Sequence, residues 1–531
     1  MAEVIAGCAI AVVAILLCCF MYAAWVAPAA TRRRLRRFEG PRPSFPLGNL
    51  AEIAASSSRS YNNDKAANCG GVISGDIHGR VFPYFARWRS AFGKVFVYWL
   101  GTEPFLYVAD PELLKSITAG ALGKSWGKPD VFRRDRMPMF GRGLVMAEGE
   151  EWARHRHIIA PAFSATNIND MIGVMVDTTS KMLKEWSDAV ASGQKVIDVE
   201  KGVVRNAAEI IAQASFGVTD DEAGARVFEK LQAMQAMLFQ SNRLVGVPMA
   251  RLLHLRKSYE AWKLGREIDA LLLHIIQSRR QRNQLQFQGK KRNDLLSLLL
   301  AGNNDDDSNN NEDDEDSNKK KRKKLTTREL VDECKTFFFG GHETTALALS
   351  WTLLMLAAHP EWQAALREEV QEVLVDEEMM DAAALGRLTK MGWVMNEVLR
   401  LYPPSPNVQR QALRHIEDHQ IPAGTNMWVD VVAMHHDPEL WGDDVNDFRP
   451  ERFAKDPVQG GCRHRMGFLP FGFGGRICVG RNLTAMEYRV VLSMLLRRFH
   501  LSVAPEYRHA PRIMLSLRPS NGIQLQLTPI N

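Results

Sequence analysis

Residues Val4 to Val26 form an apolar run without one charged side chain. Wound as a helix, a run of that length extends roughly 35 Å, against about 30 Å for the hydrocarbon core of a bilayer. Tyr22 and Trp25 lie near its end, as interfacial aromatics do. Arg32, Arg33, Arg34, Arg36 and Arg37 follow, a cluster that favours the cytosolic side. The pattern predicts one transmembrane anchor over 4–26, with everything after Arg32 in the cytosol. A cleaved signal peptide ending at Ala27-Pro28-Ala29 is the rival; the run is too long for it, and the positive charge follows instead of preceding. Residues 27–50 read as a basic, then proline-rich hinge in which Pro41, Pro43 and Pro46 exclude a helix and stiffen the backbone. Such a hinge either fixes the angle at which the body leaves the membrane or is a plain linker, and the sequence barely separates the two.

Beyond residue 51 the pattern is that of a globular body reaching to residue 531. Phe96–Leu100 and Pro104–Val108 predict two strands joined near Gly101-Thr102. Helical periodicity dominates from Glu151 to about Leu300 and from Glu329 to Leu401. Strand-like pieces return at Met427–Val432 and Ile513–Leu527. Thr326-Thr327-Arg328-Glu329 reads as a capping box opening a long apolar helix. The fold class expected is mainly α with small β-sheets. Residues 303–324 are low-complexity, acidic and amidic first and then Lys319 to Lys324, with almost nothing to bury; they predict a disordered surface loop.

Composition changes this picture little. The net charge of the 531 residues is only +6, and no base-reading motif accompanies it, so no nucleic-acid partner is expected. Seven cysteines without a C-x-x-C pair form neither a disulfide framework nor a recognisable zinc site, which suits a reducing compartment.

The candidate chemistry lies in four strings. Phe471-Gly472-Phe473-Gly474-Gly475-Arg476-Ile477-Cys478-Val479-Gly480 fits the frame F-x-x-G-x-R-x-C-x-G. Its glycines free backbone N–H groups to approach a sulfur, and a helix starting near Cys478 would add a positive dipole end. Glu397 and Arg400 share a helix face and precede Pro450-Glu451-Arg452-Phe453. Gly340-Gly341-His342-Glu343-Thr344-Thr345 places two adjacent glycines inside a helix, at a cost of about 1 kcal/mol each, where a hydroxyl can enter the backbone ladder and bend it. Trp152 and Arg156 are i,i+4 neighbours in Trp152-Ala153-Arg154-His155-Arg156. His435 and His436, before Asp437-Pro438, read as a structural turn and not as metal ligands.

In order and spacing these strings resemble a microsomal cytochrome P450. Asp332-Glu333-Cys334 ahead of Gly340–Thr345, and Gly141-Arg142-Gly143-Leu144-Val145-Met146, resemble the plant clan of cytokinin hydroxylases, gibberellin oxidases and brassinosteroid-inactivating hydroxylases. The resemblance implies that residues 51–531 are a cytochrome P450 catalytic domain holding haem b, with Cys478 as the iron ligand and Phe471 covering the sulfur side. It further implies Gly480 close to the porphyrin, and Trp152, Arg156, Arg410 and Arg476 at the haem edge and propionates. Thr344 and Glu343 would serve the dioxygen groove and its proton relay, while Glu397, Arg400 and Arg452 would brace the core. The expected activity is insertion of one oxygen atom from O2 into a hydrophobic small molecule, terpenoid or plant-hormone-like, gibberellin or cytokinin related. NADPH-cytochrome P450 reductase would supply the electrons at the endoplasmic reticulum membrane, docking on Arg154, Arg463 and Arg465. Met137–Met146, Met237–Val247, Phe338, Ala346, Pro404–Val408 and Pro519–Gly522 would border the substrate. A reductase-independent isomerase or dehydratase on the same haem, and a non-enzymatic haem sensor, are the rival functions; an intact Glu343-Thr344 pair argues against the first.

Overall fold

The computed structural model describes residues 2–56, 73, 75–217, 221–239, 244–285, 294–301, 324–375 and 380–530. The low-complexity segment expected over 303–324 therefore lies outside the described residues, apart from Lys324, as does Cys69.

The N-terminal helix runs further than its apolar run suggests. Ala2–Met21 is α-helical, Tyr22–Val26 forms a π turn, and Ala27–Arg34 continues the helix. The physical reason is Pro28: its ring and missing N–H disturb the ladder of the preceding turn. There the Ala27 N–H reaches back to the Tyr22 carbonyl, so the ladder widens instead of ending. Val4–Arg34 is long and apolar enough to cross a membrane, and most of its large apolar side chains are exposed.

The proline-rich stretch that follows is docked, not free. β1 (Val95–Leu100) is an edge strand, and its outward groups are covered by this segment. The Val97 N–H donates to the Glu39 carbonyl (2.9 Å), the Asn49 N–H donates to the Trp99 carbonyl (2.8 Å), and the Trp99 N–H donates to Asn49 Oδ1 (3.0 Å). A Cβ on Gly40 would lie 2.0 Å from the Val97 carbonyl oxygen, so only glycine allows the approach.

β1 pairs antiparallel with β2 (Glu103–Val108), as the two alternating apolar runs suggest. The sheet then continues through β6 (Asn426–Asp430) and β5 (Asn407–Ala412) to the short β3 (Trp126–Gly127), in the order β1-β2-β6-β5-β3. A second sheet joins β4 (Val196–Asp198), β10 (Gln524–Pro529) and β7 (Phe499–Val503), and a third is the hairpin of β8 (Pro511–Met514) and β9 (Ser516–Pro519). Helices make up most of the rest.

The central helix, Thr327–Ala358, is buried along nearly its whole length and opens with the expected capping box between Thr326 and Glu329. It packs against the helices Val199–Phe216 and Arg481–Arg498. Its two glycines serve different ends. A Cβ on Gly341 would meet Ile211 Cδ1 at 2.6 Å, so Gly341 sets the helix–helix approach, whereas nothing lies within 4 Å of a Cβ on Gly340. The helix stays α-helical across both, and the Thr344 hydroxyl donates to the Gly340 carbonyl at 2.9 Å.

Candidate active site

The Cys478 loop is closed by its own backbone. Gly472 and Gly474 adopt left-handed φ values of 77° and 65°, a single turn spans Gly474–Arg476, and the Cys478 N–H donates to the Phe471 carbonyl at 2.9 Å. The helix Arg481–Arg498 starts directly after, capped by Gly480. Cys478 is exposed yet enclosed by protein, because it faces an internal cavity of about 800 Å³. Burial pushes its thiol up, while the backbone N–H groups of Gly480 and Arg481 and the Arg156 guanidinium act in the opposite direction. A Cβ on Gly480 would meet only Phe163 and Cys478 Sγ, at 3.8 and 4.0 Å, so protein packing does not demand this glycine.

Cations gather beside the loop. Arg476 lies over the Trp152 ring at 4.9 Å and donates to the Ala147 carbonyl at 2.7 Å; Arg156 donates to the Ile477 carbonyl at 3.0 Å. Arg410, on β5, is pushed down to about 10, by burial first and then by Arg476. Lys128 was missed in the sequence. Burial and the charges of Arg410, Arg476 and Arg136 push its ammonium well below the usual lysine range. Among the described residues none of Lys128, Arg156, Arg410 and Arg476 has a carboxylate partner within ion-pair distance, though all four line the cavity. Burying charges of one sign together is costly unless a counter-charge joins them.

The family model described as cytochrome P450 matches residues 70–527. The chain belongs to the cytochrome P450 family. It is 36% identical over 513 residues to a cytokinin hydroxylase of Arabidopsis thaliana, covering 95% of this chain and 94% of that one. It is 31% identical over 524 residues to cytochrome P450 714B2 of Oryza sativa subsp. japonica, covering 95% and 93%. Against cytochrome P450 734A1 of Arabidopsis thaliana the identity is 32% over 497 residues, covering 91% and 88%. The protein is thus a plant cytochrome P450 of this clan and a haem monooxygenase.

The residues of this P450 fit the haem that the family implies. A sulfur opens into the cavity, and four cations beside it lack counter-ions that the two propionates of an iron porphyrin would supply.

Behind the loop, Glu397 and Arg400 are fully buried in a two-point grip: Nε to Oε2 and Nη2 to Oε1, both 2.7 Å. Arg400 Nη1 also donates to the carbonyls of His435 (3.0 Å) and Val445 (2.6 Å). Arg452 joins more loosely, its Nε 3.4 Å from Glu397 Oε1 without a hydrogen bond. Both His435 and His436 are buried with each ring nitrogen engaged by protein, and burial pushes them down to about 3 and about 4.

The expected substrate borders need three corrections, and the expected docking surface one. Phe338 stacks on Phe216 (4.6 Å between centroids), away from the cavity; its neighbours Phe337 and Phe339 line it instead. Ala346 is fully buried in helix packing. The C-terminal segment that enters is the β8–β9 hairpin, Ile513 to Ser516, and not Pro519–Gly522, whose turn packs on Asp198. Arg154, expected at a docking surface, is turned inward to Glu329 and to the Lys324 carbonyl; Arg463 and Arg465 are exposed. Phe140, Leu144, Leu238, Val245, Pro404 and Val408 do line the cavity. Glu343 is buried and accepts from Gln235 Nε2 at 2.7 and 2.8 Å and from the Ser516 hydroxyl. Gln235 and Ser516 sit in segments with no motif, so nothing in the sequence announced them.

Proposed function

We propose that this P450 is a membrane-anchored, reductase-dependent monooxygenase that hydroxylates a hydrophobic small molecule of terpenoid or plant-hormone type, gibberellin- or cytokinin-related. The observation that carries the reading is the Cys478 sulfur opening into the same cavity that Thr344 lines. When bound, the haem supplies activation of O2 and oxidation of a C–H bond, with electrons from NADPH through a partner reductase.

The residues around it hold and orient. Cys478 would hold the iron of that group through its sulfur, with Phe471 shielding the sulfur from water. Lys128, Arg156, Arg410 and Arg476 would take the propionates, and Trp152 stacks beneath Arg476. The Thr344 Oγ proton rests on the Gly340 carbonyl while its lone pairs stay free to accept. To pass a proton into the cavity the hydroxyl leaves that carbonyl and is resupplied, with Glu343 as the adjacent acid. Glu397, Arg400 and Arg452 keep the wall behind the loop rigid. The anchor is read as single-pass in the endoplasmic reticulum membrane with the body cytosolic. Exposed Leu252, Leu253, Leu255, Tyr259 and Trp262 support a second contact with the lipid surface. They follow Gly246, whose carbonyl accepts from Thr102 beside the docked hinge.

Reduced protein exposed to carbon monoxide should give the long-wavelength band of thiolate ligation, and Cys478→Ser should lose it. A band that survives the substitution refutes the assignment. Turnover should also require NADPH and the reductase; product formed without them refutes the reaction type.

A further inference from the structure

Behind the cation cluster stands a carboxylate that does not itself line the cavity. Glu148 is the residue from which the helix Gly149–Ile159 starts, and its carbonyl accepts from the Trp152 N–H at 3.1 Å. One oxygen of its side chain accepts from the Lys128 N–H, and the other is paired with Arg133 of the helix Asp130–Phe140. Ala147, next to it, gives its carbonyl to Arg476 at 2.7 Å. β3 in turn pairs with β5 at Gly127 and Gln411, the neighbours of Lys128 and Arg410. The segments that carry Lys128, Arg410, Trp152, Arg156 and Arg476 therefore meet around two consecutive residues. The contact needs Gly127: a Cβ there would lie 2.7 Å from Glu148 Oε1, in the way of the carboxyl.

Glu148 reaches the backbone of Lys128, and among the described residues no ion pair joins it to the ammonium. Burial pushes Lys128, Arg410 and Arg476 down and neighbouring cations add to it, while the negative charge of Glu148 acts in the opposite direction on all three. A carboxylate paired directly with these side chains would occupy the places that propionates need; one held behind the wall acts on them only through its field. We propose that Glu148 is a positioning residue for the haem: its reach to the Lys128 N–H fixes where the propionate-binding cations stand, and its charge sets part of the potential at the iron. The proposal rests on the propionate roles given above to Lys128, Arg410 and Arg476.

Two substitutions in the haem-loaded full chain separate reach from charge. Glu148→Asp keeps the charge but is one methylene short of the Lys128 N–H; Glu148→Gln keeps the length and an acceptor oxygen but loses the charge. Haem loss is read as transfer to excess apomyoglobin, and the ferric–ferrous midpoint potential is read by spectroelectrochemical titration. Glu148→Asp should lose haem about tenfold faster, the scale of one hydrogen bond to a charged group, with its potential close to that of the wild type. Glu148→Gln should keep haem to within about threefold and shift the potential positive, because a negative charge no longer opposes the incoming electron; a merely structural role would leave the potential where it was. Gly127→Ala, which crowds the carboxyl without altering its charge, should reproduce Glu148→Asp. Wild-type haem retention in both Glu148→Asp and Gly127→Ala, or an unshifted potential in Glu148→Gln, overturns the proposal. Lys128→Met tests the cation assignment by itself. Unchanged haem loss there refutes the place given to Lys128 in the proposed function, and this proposal with it; faster loss there beside an unaffected Glu148→Asp refutes the role of Glu148 alone.

Discussion

Removing one half of the buried Glu397–Arg400 pair should be among the costliest single changes outside the Cys478 loop. Both side chains are fully buried. In Glu397→Ala the Arg400 guanidinium keeps the carbonyls of His435, Val445 and Asp447 but loses two charged hydrogen bonds of 2.7 Å and its only ion-paired carboxylate among the described residues. Arg452 does not compensate, since it brings more positive charge and turns to Asp444 and to the Trp441 carbonyl. Breaking a buried pair in this way costs about 3–5 kcal/mol, a large part of the roughly 5–15 kcal/mol that holds a domain together. Arg400→Met should cost at least as much, because three carbonyls lose their donor. The two effects should not add: with Arg400 gone, Glu397 is itself the stranded charge, so Glu397→Leu with Arg400→Met should fall short of the sum by about 3 kcal/mol. Equilibrium urea unfolding followed by far-ultraviolet circular dichroism, at matched haem loading, measures all three. A loss below about 1 kcal/mol for Glu397→Ala, or simple additivity, would mean that the pair is solvated and that its burial has been misread.

Thr344→Ala removes the one hydroxyl that can both rest on Gly340 and accept from the acid side; product formed per NADPH consumed should fall about tenfold or more, with peroxide in its place, and unchanged coupling would remove Thr344 from the proton path. Glu487 is buried on the helix Arg481–Arg498, its Oε1 has no hydrogen-bond partner, and burial pushes its carboxyl up to about 8. The folded protein then holds a proton that the unfolded chain releases near pH 4.3, so the stability this group allows is present at low pH and is lost as pH rises toward 8. Between pH 5.5 and 8 the loss should be about 3 kcal/mol; Glu487→Gln should flatten that slope, and parallel stability curves for the two proteins would refute the shift.

What the sequence made legible is what chemistry compresses into a short string. The Phe471–Gly480 loop must be contiguous because glycine backbone, arginine and sulfur act within one turn, and the capping box of the central helix is equally local. Groups that meet only after folding left no trace. Lys128 is a lone lysine beside a two-residue strand, Gln235 is an ordinary helical glutamine, and Ser516 follows Leu515, which takes a φ of 75° without any glycine to advertise the turn. The Phe338 error was avoidable. Stepping back from Thr344 by three or four residues gives Gly340, Gly341 and then Phe337, so Phe338 falls on another face, as Ala346 does beside Ala348. The docked hinge was undecidable for another reason: its partner is the edge of β1, and nothing in a proline-rich string says which edge it will cover.

Three strings that seemed separate are one contact. Glu333, in the second turn of the central helix, accepts from the Leu144 N–H (3.1 Å) with one oxygen and holds His155 Nδ1 (2.6 Å) with the other; the adjacent Asp332 accepts from the Arg142 N–H (2.9 Å). The same two carboxyls thereby hold both the loop that lines the cavity at Leu144 and the helix that carries Trp152 and Arg156. The loop can come this close only without side chains: a Cβ on Gly141 would lie 2.0 Å from Asp332 Oδ1, and one on Gly143 would lie 2.4 Å from Thr336 Oγ1. Gly141-Arg142-Gly143-Leu144, His155 and Asp332-Glu333 therefore constrain one another, and a change in any of them should move the cations at the haem edge and the substrate wall together. Binding of the cofactor and choice of substrate should therefore respond together to changes in this cluster, which borders the cavity at Leu144.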